Sequence, residues 1–423
     1  MGDLLLIQAG EHPMGRLERR PDGLRLEYDE RWRARRDAYP LSVSLPLQQR
    51  VHDGPGVRAW LQGLLPDNSA TLERWGARFQ VSPGSVFDLL WFVGQDCAGA
   101  VRFVPPTVTA TRGGSVRWLA REEVGERLRD VRRDRGATRA EDDEGQFSLA
   151  GAQAKIALFS RDGRWGVPSG ATPTTHILKP PVEGFAGYAE NEHFCLALAR
   201  RIGLAAASSS VDLFGSERAV VVTRYDRIDA PEGPIRIHQE DLCQAHGLGP
   251  DHKYQARGGP TPRSIAALLR KHSGRPREDV DRFVDALVFN WLILGTDGHA
   301  KNLGLLLAGG TVRLAPLYDL ASFLPYAAGS QTPRSVKMAM KIGGEYRDRQ
   351  IDGKRWRTLA TELELEAEAV LARAEHLADA VLAAAPTLAR DLQDAGLDDP
   401  VVAQLGRGLA ARARRCRGRL RVG

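Results

Sequence analysis

Short runs that alternate between hydrophobic and polar residues fill about the first hundred positions of the chain. Residues 24–28 and 41–45 repeat with a period of two, which predicts half-buried strands. Between residues 60 and 93 the hydrophobic spacing becomes helical, and residues 99–104 form an apolar run that predicts a closing strand. We therefore expect an N-terminal α+β domain over residues 1–105.

The hydrophobic pattern breaks after residue 105. Residues 106–145 contain a helical stretch rich in Arg, Asp and Glu, followed by a run almost free of apolar residues. This composition is typical of a charged linker. A second unit begins near residue 146, and the elements predicted in it are strands at 155–159, 176–179 and 219–223 and a helix at 189–202.

Helical spacing dominates the chain beyond residue 239. The most apolar helix is predicted at 280–294, where Phe283, Leu287 and Trp291 recur every fourth residue. Strands that come first and helices that follow predict a core over residues 146–385, with a β-rich lobe at 146–230 and a helical lobe at 231–385. Residues 386–423 are left as a basic C-terminal segment.

The composition narrows the class of protein. Hydrophobic residues are 43% and charged residues 26% of the chain, which excludes a disordered or collagen-like protein. No apolar run approaches the roughly 20 residues that span a bilayer, and the N-terminus lacks a secretory signal, so we expect a cytoplasmic protein without a membrane partner. The 4 cysteines are scattered and form no C-x-x-C pair, which favours a reducing compartment and makes a structural zinc site improbable.

The densest cluster of polar residues, 295–302, directly follows the predicted apolar helix. Asp297 and Asn302 have the D-x-x-x-x-N spacing of a kinase catalytic loop, in which the Asp accepts the proton of the attacking hydroxyl and the Asn ligates Mg²⁺. Asp319 follows two short strand-like runs, where the principal Mg²⁺-binding carboxylate of a kinase is expected. A helix-capping Asp and a turn Asn would explain single residues of this set, but the three together favour a catalytic site.

Two further features fit a kinase. The small residues between Ser148 and Lys155 permit a close approach of backbone N–H groups to phosphate, although a plain turn explains them equally well. Lys179 ends a predicted strand and is a candidate partner of nucleotide phosphates, with Glu192 as its candidate ion-pair partner; a solvated strand end is the alternative. No G-x-G-x-x-G or Walker motif is present, which counts against Rossmann and P-loop folds.

Taken in order, these motifs resemble the HipA family of bacterial serine/threonine kinase toxins. The resemblance covers residues 1 to about 385, and it implies an α+β fold: a two-lobed protein-kinase-like fold, with a small β-rich lobe and a larger helical lobe, and an extra N-terminal α+β domain. The segments that carry it are 147–155, 175–180, 191–195, 239–244, 296–302 and 317–319, with 42–47, 64–67 and 87–90 in the N-terminal domain.

The resemblance implies ATP and Mg²⁺ as cofactors and gives roles to residues by position. Asp297 would be the catalytic base, Asn302 and Asp319 would hold Mg²⁺, and Ser148 would be the autophosphorylated serine whose modification inactivates the kinase. The residues implied in nucleotide binding are Ala150, Gly151, Ala152, Gln153, Ala154, Lys155, Lys179, Thr223, Arg224, Tyr225, His299, Lys301, Asn302, Tyr318 and Asp319. Thr223 replaces an acidic residue that is more usual in the family's adenine-contacting segment, which weakens nucleotide binding if the family uses that side chain.

The implied function is that of an ATP- and Mg²⁺-dependent protein serine/threonine kinase, the toxin of a type II toxin–antitoxin system. The expected substrate is an aminoacyl-tRNA synthetase, and the expected partner is a HipB-like helix-turn-helix antitoxin that would make the contact with DNA. Two alternatives stay open: a non-catalytic DNA-associated regulator, and a small-molecule kinase of similar fold.

The arginine-rich C-terminus supports the first of these alternatives. Residues 407–423 contain seven arginines and no acidic residue, within a chain of net charge +6. Such a run is also typical of a solvated helix face or a frayed terminus. Because every residue assigned to the site precedes Leu320, the sequence predicts that the chain after Leu405 is dispensable for activity.

Overall fold

The computed structural model describes residues 2–108, 114–134, 137, 148, 150–151, 153–327 and 336–422. Ala152, predicted in the phosphate loop, lies outside the described residues. The chain divides into two compact units. The first unit contains Met1–Pro180, Asp212–Pro250 and Leu305–Val312, and the second contains Pro181–Val211, Asp251–Gly304 and Arg313–Gly423.

The first unit begins with an antiparallel sheet of strand order β4-β3-β2-β1-β5. Its strands are β1 (Leu4–Ala9), β2 (His12–Arg20), β3 (Gly23–Tyr28), β4 (Val51–Asp53) and β5 (Val101–Val104), and its helices are α1 (Glu30–Arg33), α2 (Pro55–Gln62), α3 (Ser69–Phe79) and α4 (Val86–Val93). Trp60, Phe87 and Phe103 are among the buried side chains of its core. The strands predicted at 24–28 and 99–104 are confirmed as β3 and β5.

The strand predicted at 41–45 is wrong. Ser42 and Leu45 form an isolated bridge, and the backbone N–H of Leu45 donates to the carbonyl oxygen of Ser42 across a tight turn. The turn is stabilised by the buried carboxylate of Glu240, which accepts from the backbone N–H of Val43 at 2.9 Å and from the Ser42 hydroxyl at 2.5 Å. The alternation of hydrophobic and polar residues at 41–45 therefore arises because the turn is buried around the Glu240 carboxylate, and not because the segment pairs in a sheet.

A six-stranded sheet of order β10-β11-β9-β7-β8-β6 follows in the chain. Its strands are β6 (Gly114–Leu119), β7 (Ile156–Arg161), β8 (Arg164–Gly170), β9 (His176–Lys179), β10 (Ser209–Phe214) and β11 (Glu217–Thr223); α5 (Arg121–Arg133) follows β6, and α6 (Tyr188–Arg201) connects β9 to β10. The three predicted strands of this part and the predicted helix at 189–202 are confirmed as β7, β9, β11 and α6.

The segment with linker-like composition contributes to the core of this sheet. It carries β6, which pairs with β8, and α5, whose buried Val124, Leu128 and Val131 belong to the same hydrophobic cluster as Phe214. Charged residues cover the opposite face of α5, so its low average hydropathy conceals an apolar stripe at helical spacing. The domain boundaries given above stay a prediction.

The remaining elements are short strands and longer helices, and the helices contain most of their residues. They are β12 (Arg227–Ile228), β13 (Ile235–Arg236), β14 (His238–Asp241), α7 (Leu242–Ala245), α8 (Pro262–His272), α9 (Pro276–Ile293), β15 (Gly304–Ala308), β16 (Thr311–Leu314), β17 (Lys337–Ile342), β18 (Glu345–Arg347), α10 (Gly353–Glu362), α11 (Ala367–Asp394) and α12 (Pro400–Leu420). The predicted apolar helix is confirmed as α9, with Phe283 and Trp291 fully buried. Within the described residues, no helix is long and apolar enough to cross a membrane.

The arginine-rich C-terminus forms α12, which packs lengthwise on α11 in the second unit. Leu405, Leu409 and Cys416 on its inner face are buried. Arg412 lies on that same face and is itself buried, where it pairs with Asp348. This arginine therefore does not lie on a solvated helix face.

Candidate active site

Helix α9 of the second unit carries the candidate catalytic loop at its C-terminal end. The helix ends at Ile293, and the C-cap residue Leu294 adopts a left-handed conformation with φ of 56°. The Ser322 hydroxyl donates to the carbonyl oxygen of Ile293 at 2.5 Å, which satisfies one of the terminal carbonyls that a helix leaves unpaired. Gly295 follows, and a Cβ at this position would lie 2.5 Å from Oδ1 of Asn290, so a glycine is required for the loop to leave the helix here.

Asp297 and Asn302 lie at the two ends of one compact turn. The amide Nδ2 of Asn302 donates to the carbonyl oxygen of Asp297 at 2.8 Å, and the backbone N–H of His299 donates to the same oxygen at 2.8 Å. The Asn302 bond uses the amide nitrogen, so the amide oxygen is the atom that can accept a cation. The Asp297 side chain is 64% exposed, and its carboxylate is accessible to an incoming hydroxyl.

The segment that contains Asp319 is attached to this loop. The hydroxyl of Tyr318 donates to the carbonyl oxygen of Lys301 at 2.6 Å. Asp319 itself has a φ of 55°, in the left-handed region that Asp and Asn tolerate better than most residues. The family resemblance implies that Tyr318 binds the nucleotide. In the structure its hydroxyl joins the segment of Asp319 to the catalytic loop.

The electrostatics show that three carboxylates converge in this unit. Burial raises the pKa of the Tyr188 phenol on α6, and the charges of Asp319, Glu192 and Asp297 act in the same direction. A charge influences a neighbouring group in this way only over a short distance. Asp297 and Asp319 therefore both act on this phenol, and the Tyr318–Lys301 hydrogen bond joins the segment of Asp319 to the loop of Asp297.

His299 is a neutral imidazole inside the loop. Burial lowers its pKa, an effect that the negative charge of Asp297 opposes only partly. The ring is 4% exposed, with Nε2 at 3.8 Å from Oδ1 of Asp297. Its Nδ1 is buried and has no hydrogen-bond partner within the described ranges, which makes it an atom that a bound molecule could satisfy.

Tyr254 belongs to this site and was missed by the sequence reasoning. Its hydroxyl donates to Oδ1 of Asp297 at 2.5 Å, across 43 positions of the chain. Its ring packs edge-to-face against the His299 ring, with centroids 4.9 Å apart and an interplanar angle of 85°. A sequence signal for this turn is the pair Gly258-Gly259, which marks tight backbone geometry but does not indicate a catalytic contact.

The predicted phosphate loop lies in the first unit. Gly151 has a φ of +103°, a backbone conformation that favours glycine. The Lys155 ammonium donates to the carbonyl oxygen of Ala150 at 2.6 Å. The side-chain nitrogen of Gln153 is buried without a hydrogen-bond partner within the described part of the chain, which is a donor that a phosphate could satisfy. Ala154 is a partly buried residue against the core of this sheet.

Ser148 is fully buried at the start of this loop. Its hydroxyl donates to the carbonyl oxygen of Leu64 at 2.8 Å, and its backbone N–H donates to the carbonyl oxygen of Asp96 at 3.0 Å. Both acceptors belong to the N-terminal part of the first unit. The predicted phosphorylation site is therefore sequestered in this conformation.

The other predicted nucleotide residues of the first unit lie on β9 and at the end of β11. Lys179 is the last residue of β9, pairs with Val220 in the sheet and is 6% exposed. Thr223 is exposed, and the Tyr225 hydroxyl donates to the side-chain oxygen of Gln239.

Arg224 is committed to a buried ion network. Its guanidinium donates to both carboxylate oxygens of Asp226, at 3.0 and 2.8 Å, and to the Thr174 hydroxyl at 2.9 Å. The network includes Asp96, which pairs with Arg227 at 3.0 Å. The side chain of Arg224 is thus used in the interior, so a contact with adenine at this position is left to the backbone.

The donor set of the second unit fits a magnesium ion. Asn302 and Asp319 offer an amide oxygen and a carboxylate oxygen, which are the ligands that Mg²⁺ prefers. No group of three or more His, Cys, Asp or Glu side chains suited to a metal occurs among the residues that are described. In a kinase-type site, phosphate oxygens and water complete the coordination of Mg²⁺.

Comparison with known proteins identifies relatives over most of the chain. Residues 5–104 match the HipA N-terminal domain, and residues 147–385 match the HipA-like C-terminal domain. A protein named putative kinase Y4mE from Sinorhizobium fredii is 36% identical over 393 residues, which cover 92% of each chain. The serine/threonine-protein kinase toxin HipA of Shewanella oneidensis is 28% identical over 363 residues, 82% of this chain and 78% of that protein.

The fold is shared with a solved structure. HipA in the complex of Shewanella oneidensis HipA, HipB and operator DNA superposes with a TM-score of 0.83 at 24% identity, over 98% of both chains. The predicted α+β fold class is thereby confirmed. Since the HipA-like C-terminal domain alone matches more than half of the residues, and the relative from Sinorhizobium fredii aligns along nearly the whole length, this chain belongs to the HipA family.

Proposed function

We propose that this chain is an ATP- and Mg²⁺-dependent protein serine/threonine kinase, the toxin of a type II toxin–antitoxin system. The observation that carries the proposal is the Asp297–Asn302 turn. It offers an accessible carboxylate together with an amide oxygen that is oriented by the Asn302–Asp297 hydrogen bond at 2.8 Å. A helix cap or an ordinary turn does not require a second carboxylate, Asp319, on a segment that is hydrogen-bonded to the same loop through Tyr318.

In the proposed reaction, the hydroxyl of a serine or threonine on the substrate attacks the γ-phosphorus of ATP. Asp297 accepts the proton of that hydroxyl, the new O–P bond forms, and the bond to the β-phosphate oxygen breaks to release ADP. Asn302 and Asp319 would hold Mg²⁺, which when bound neutralises charge on the phosphate oxygens. His299 and Lys301 are proposed to contact the nucleotide.

The first unit is proposed to supply the nucleotide contacts. Lys179 would contact the phosphates, residues 150–155 would cover them, and residues 223–225 would meet the adenine. Two features support a role for the loop. Gly151 has a positive φ, so no side chain obstructs the backbone there, and the buried Nε2 of Gln153, which has no partner among the described residues, is a donor for an anion.

We propose that autophosphorylation of Ser148 inactivates the enzyme. The serine is completely buried and bonded to the carbonyl oxygen of Leu64 at 2.8 Å, so its hydroxyl reaches ATP only if the segment first leaves this position. A phosphoserine carries close to two negative charges, which cannot return to a buried site that offers it a carbonyl oxygen. Modification would therefore trap the loop outside its resting position.

The biological role rests on the relatives. The Shewanella oneidensis protein is named a serine/threonine kinase toxin, and its solved structure includes HipB and operator DNA. We therefore propose a HipB-like helix-turn-helix antitoxin as the partner, with DNA contacted through that partner, and an aminoacyl-tRNA synthetase in the cytoplasm as the substrate.

The test is transfer of radiolabelled phosphate from ATP to a panel of purified aminoacyl-tRNA synthetases. Wild-type protein is expected to label one of them, and Asp297→Asn is expected to be slower by about 10²- to 10⁴-fold, because it removes the proton acceptor. Asp251→Asn, which changes an exposed carboxylate on the same unit, is the matched control and is expected to behave as wild type. Equal rates for wild type and Asp297→Asn would contradict the assignment of the base.

The same assay separates the two alternatives. Absence of transfer by wild-type protein to any acceptor would favour the DNA-associated regulator. Label that enters only small molecules of a cell extract would favour a small-molecule kinase.

A further inference from the structure

We propose that Tyr254 is a positioning residue for Asp297: its hydroxyl holds one carboxylate oxygen of the base so that the other oxygen faces the acceptor hydroxyl. This inference rests on the proposed kinase function. Its structural basis is the hydrogen bond from the Tyr254 hydroxyl to Oδ1 of Asp297, 2.5 Å long.

The exposure of Asp297 shows whether Tyr254 orients the proposed base or blocks access to it. A tyrosine that covered the base would leave the carboxylate buried, yet the Asp297 side chain is 64% exposed with the hydrogen bond in place. Oδ1 thus accepts the Tyr254 hydrogen bond while the side chain as a whole stays exposed. A carboxylate on a short, exposed side chain otherwise rotates among several orientations, and only some of them are suited to proton transfer.

The turn that carries Tyr254 is built to hold the hydroxyl in place. The backbone N–H of Ala300 donates to the carbonyl oxygen of Lys253 at 3.1 Å, which ties the turn directly to the catalytic loop. On its other side, the Gln255 side-chain oxygen accepts from the backbone N–H of Lys341 on β17 at 2.8 Å. The tyrosine is therefore fixed at both neighbouring residues.

Two glycines make this turn possible. Gly258 has a φ of +83°, which favours glycine, and a Cβ on Gly259 would lie 2.1 Å from the carbonyl oxygen of His252. The backbone N–H of Gly259 also donates to the carbonyl oxygen of Tyr254 at 3.1 Å. A backbone this restricted presents the phenol in a defined direction.

The His299 ring supports the phenol from the side. Its edge-to-face contact with Tyr254 is an arrangement that aromatic pairs prefer, and His299 belongs to the same loop as Asp297. A phenylalanine at position 254 would keep this ring contact and lose only the hydroxyl. The substitution therefore isolates the hydrogen bond to the base from the packing of the turn.

The experiment compares the steady-state kinetics of wild type, Tyr254→Phe and Tyr346→Phe with the labelled acceptor. Tyr346 lies in β18 of the same unit, so Tyr346→Phe is a matched loss of one phenolic hydroxyl away from Asp297. We expect Tyr254→Phe to lower kcat by about 10- to 100-fold while KM for ATP and the midpoint of urea unfolding stay at wild-type values, because a misoriented base slows the chemical step alone. Tyr346→Phe is expected to keep the wild-type kcat.

Each other result overturns the inference in an identifiable way. A wild-type kcat in Tyr254→Phe, while Asp297→Asn is inactive, would reject the positioning role and leave the proposed kinase intact. A raised KM for ATP with a lowered unfolding midpoint would show that Tyr254 has a general structural role. Absence of phosphate transfer by wild-type protein would reject the kinase, and the positioning role would be rejected with it.

Discussion

At the scale of single residues, the backbone at Asp319 shows how the site accommodates an unfavourable conformation. Its φ of 55° is adopted at little cost by glycine, asparagine and aspartate, whose short polar side chains tolerate the left-handed region. The neighbouring Tyr318 is hydrogen-bonded to the carbonyl oxygen of Lys301, which holds the segment next to the loop that carries Asn302. The backbone on which the Asp319 carboxylate is carried is thereby held beside the catalytic loop.

We expect Asp319→Asn to weaken binding of Mg²⁺-ATP and to slow turnover, each by about tenfold or more, because it removes a charged oxygen ligand of the metal. Asparagine tolerates the left-handed backbone, so the fold is expected to be retained. Isothermal titration with Mg²⁺-ATP and the phosphate-transfer rate measure the two effects.

The matched control for Asp319→Asn is Asp162→Asn. Asp162 also has a positive φ, of 51°, but it lies in the turn between β7 and β8. Wild-type affinity and turnover are expected for this control. If Asp319→Asn also bound Mg²⁺-ATP with wild-type affinity, the residue would not be a metal ligand.

The residues of the site differ in how far the sequence could predict them. Asp297 and Asn302 are five positions apart in one turn, so their separation in the sequence is enough to predict that they lie close together. Tyr254 lies 43 positions from Asp297, and nothing in its local sequence states which side chain its hydroxyl meets. Arg224 had a predicted place beside the nucleotide, but its charge is used in a buried network with Asp226, a pairing that depends on the tertiary fold.

At the scale of elements, α12 stabilises the C-terminal end of the helix that carries the catalytic loop. The guanidinium of Arg412 donates to the carbonyl oxygen of Trp291 at 2.6 Å and to that of Leu292 at 3.1 Å. These carbonyls belong to the last turn of α9, where a helix has unpaired acceptors and a partial negative charge that favours a cation. Asp348 completes the arrangement as a buried ion-pair partner at 2.5 Å.

Arg412→Met is expected to lower the free energy of unfolding by up to about 3–5 kcal/mol, because it removes the close ion pair of the buried Asp348 and the donors to the end of α9. Among the described residues, Asp348 then keeps only Arg419, whose guanidinium lies 3.7 Å from its carboxylate. Arg414→Met on the exposed face of α12 is the control, and its effect is expected to stay within about 0.5 kcal/mol. Urea unfolding followed by circular dichroism measures both. Equal stability of the two variants would show that the buried arginine contributes nothing specific.

This arrangement changes the expectation for truncation after Leu405. The sequence alone predicted that this deletion leaves kinase activity intact, because every residue assigned to the site precedes Leu320. Helical spacing places Arg412 on the same face as Leu405, Leu409 and Cys416, and this periodicity is the signal that separates it from its exposed neighbours. Elements whose hydrophobic periodicity extends over many residues, such as α9, were predicted correctly from the sequence. The short alternating segment at 41–45 was predicted wrongly.

At the scale of the whole molecule, buried polar contacts join parts of the first unit that are remote in sequence. Asp96 pairs with Arg227 at 3.0 Å and with Arg236 at 2.9 Å. Glu240 has a pKa raised by burial to about 7, and the Trp60 indole N–H donates to it at 3.1 Å. Contacts of this kind cannot be predicted from one sequence, because each depends on which distant segment supplies the partner. They make the N-terminal residues a physical part of the unit that carries the proposed phosphate loop.

Ser148 connects this first unit to the proposed regulation. We expect active protein to accumulate one phosphate at Ser148, and the Asp297→Asn variant to accumulate none, as measured by intact-mass spectrometry. We also expect the phosphorylated form to exchange amide hydrogens faster near Leu64 and Asp96, because a dianion cannot occupy the buried position that the hydroxyl holds. Ser148→Ala, which stays neutral and small, is the control and is expected to keep the slow exchange of the unmodified protein. Phosphorylated protein with unchanged exchange at Leu64 would mean that the modified segment stays in place, and inactivation would then require another explanation.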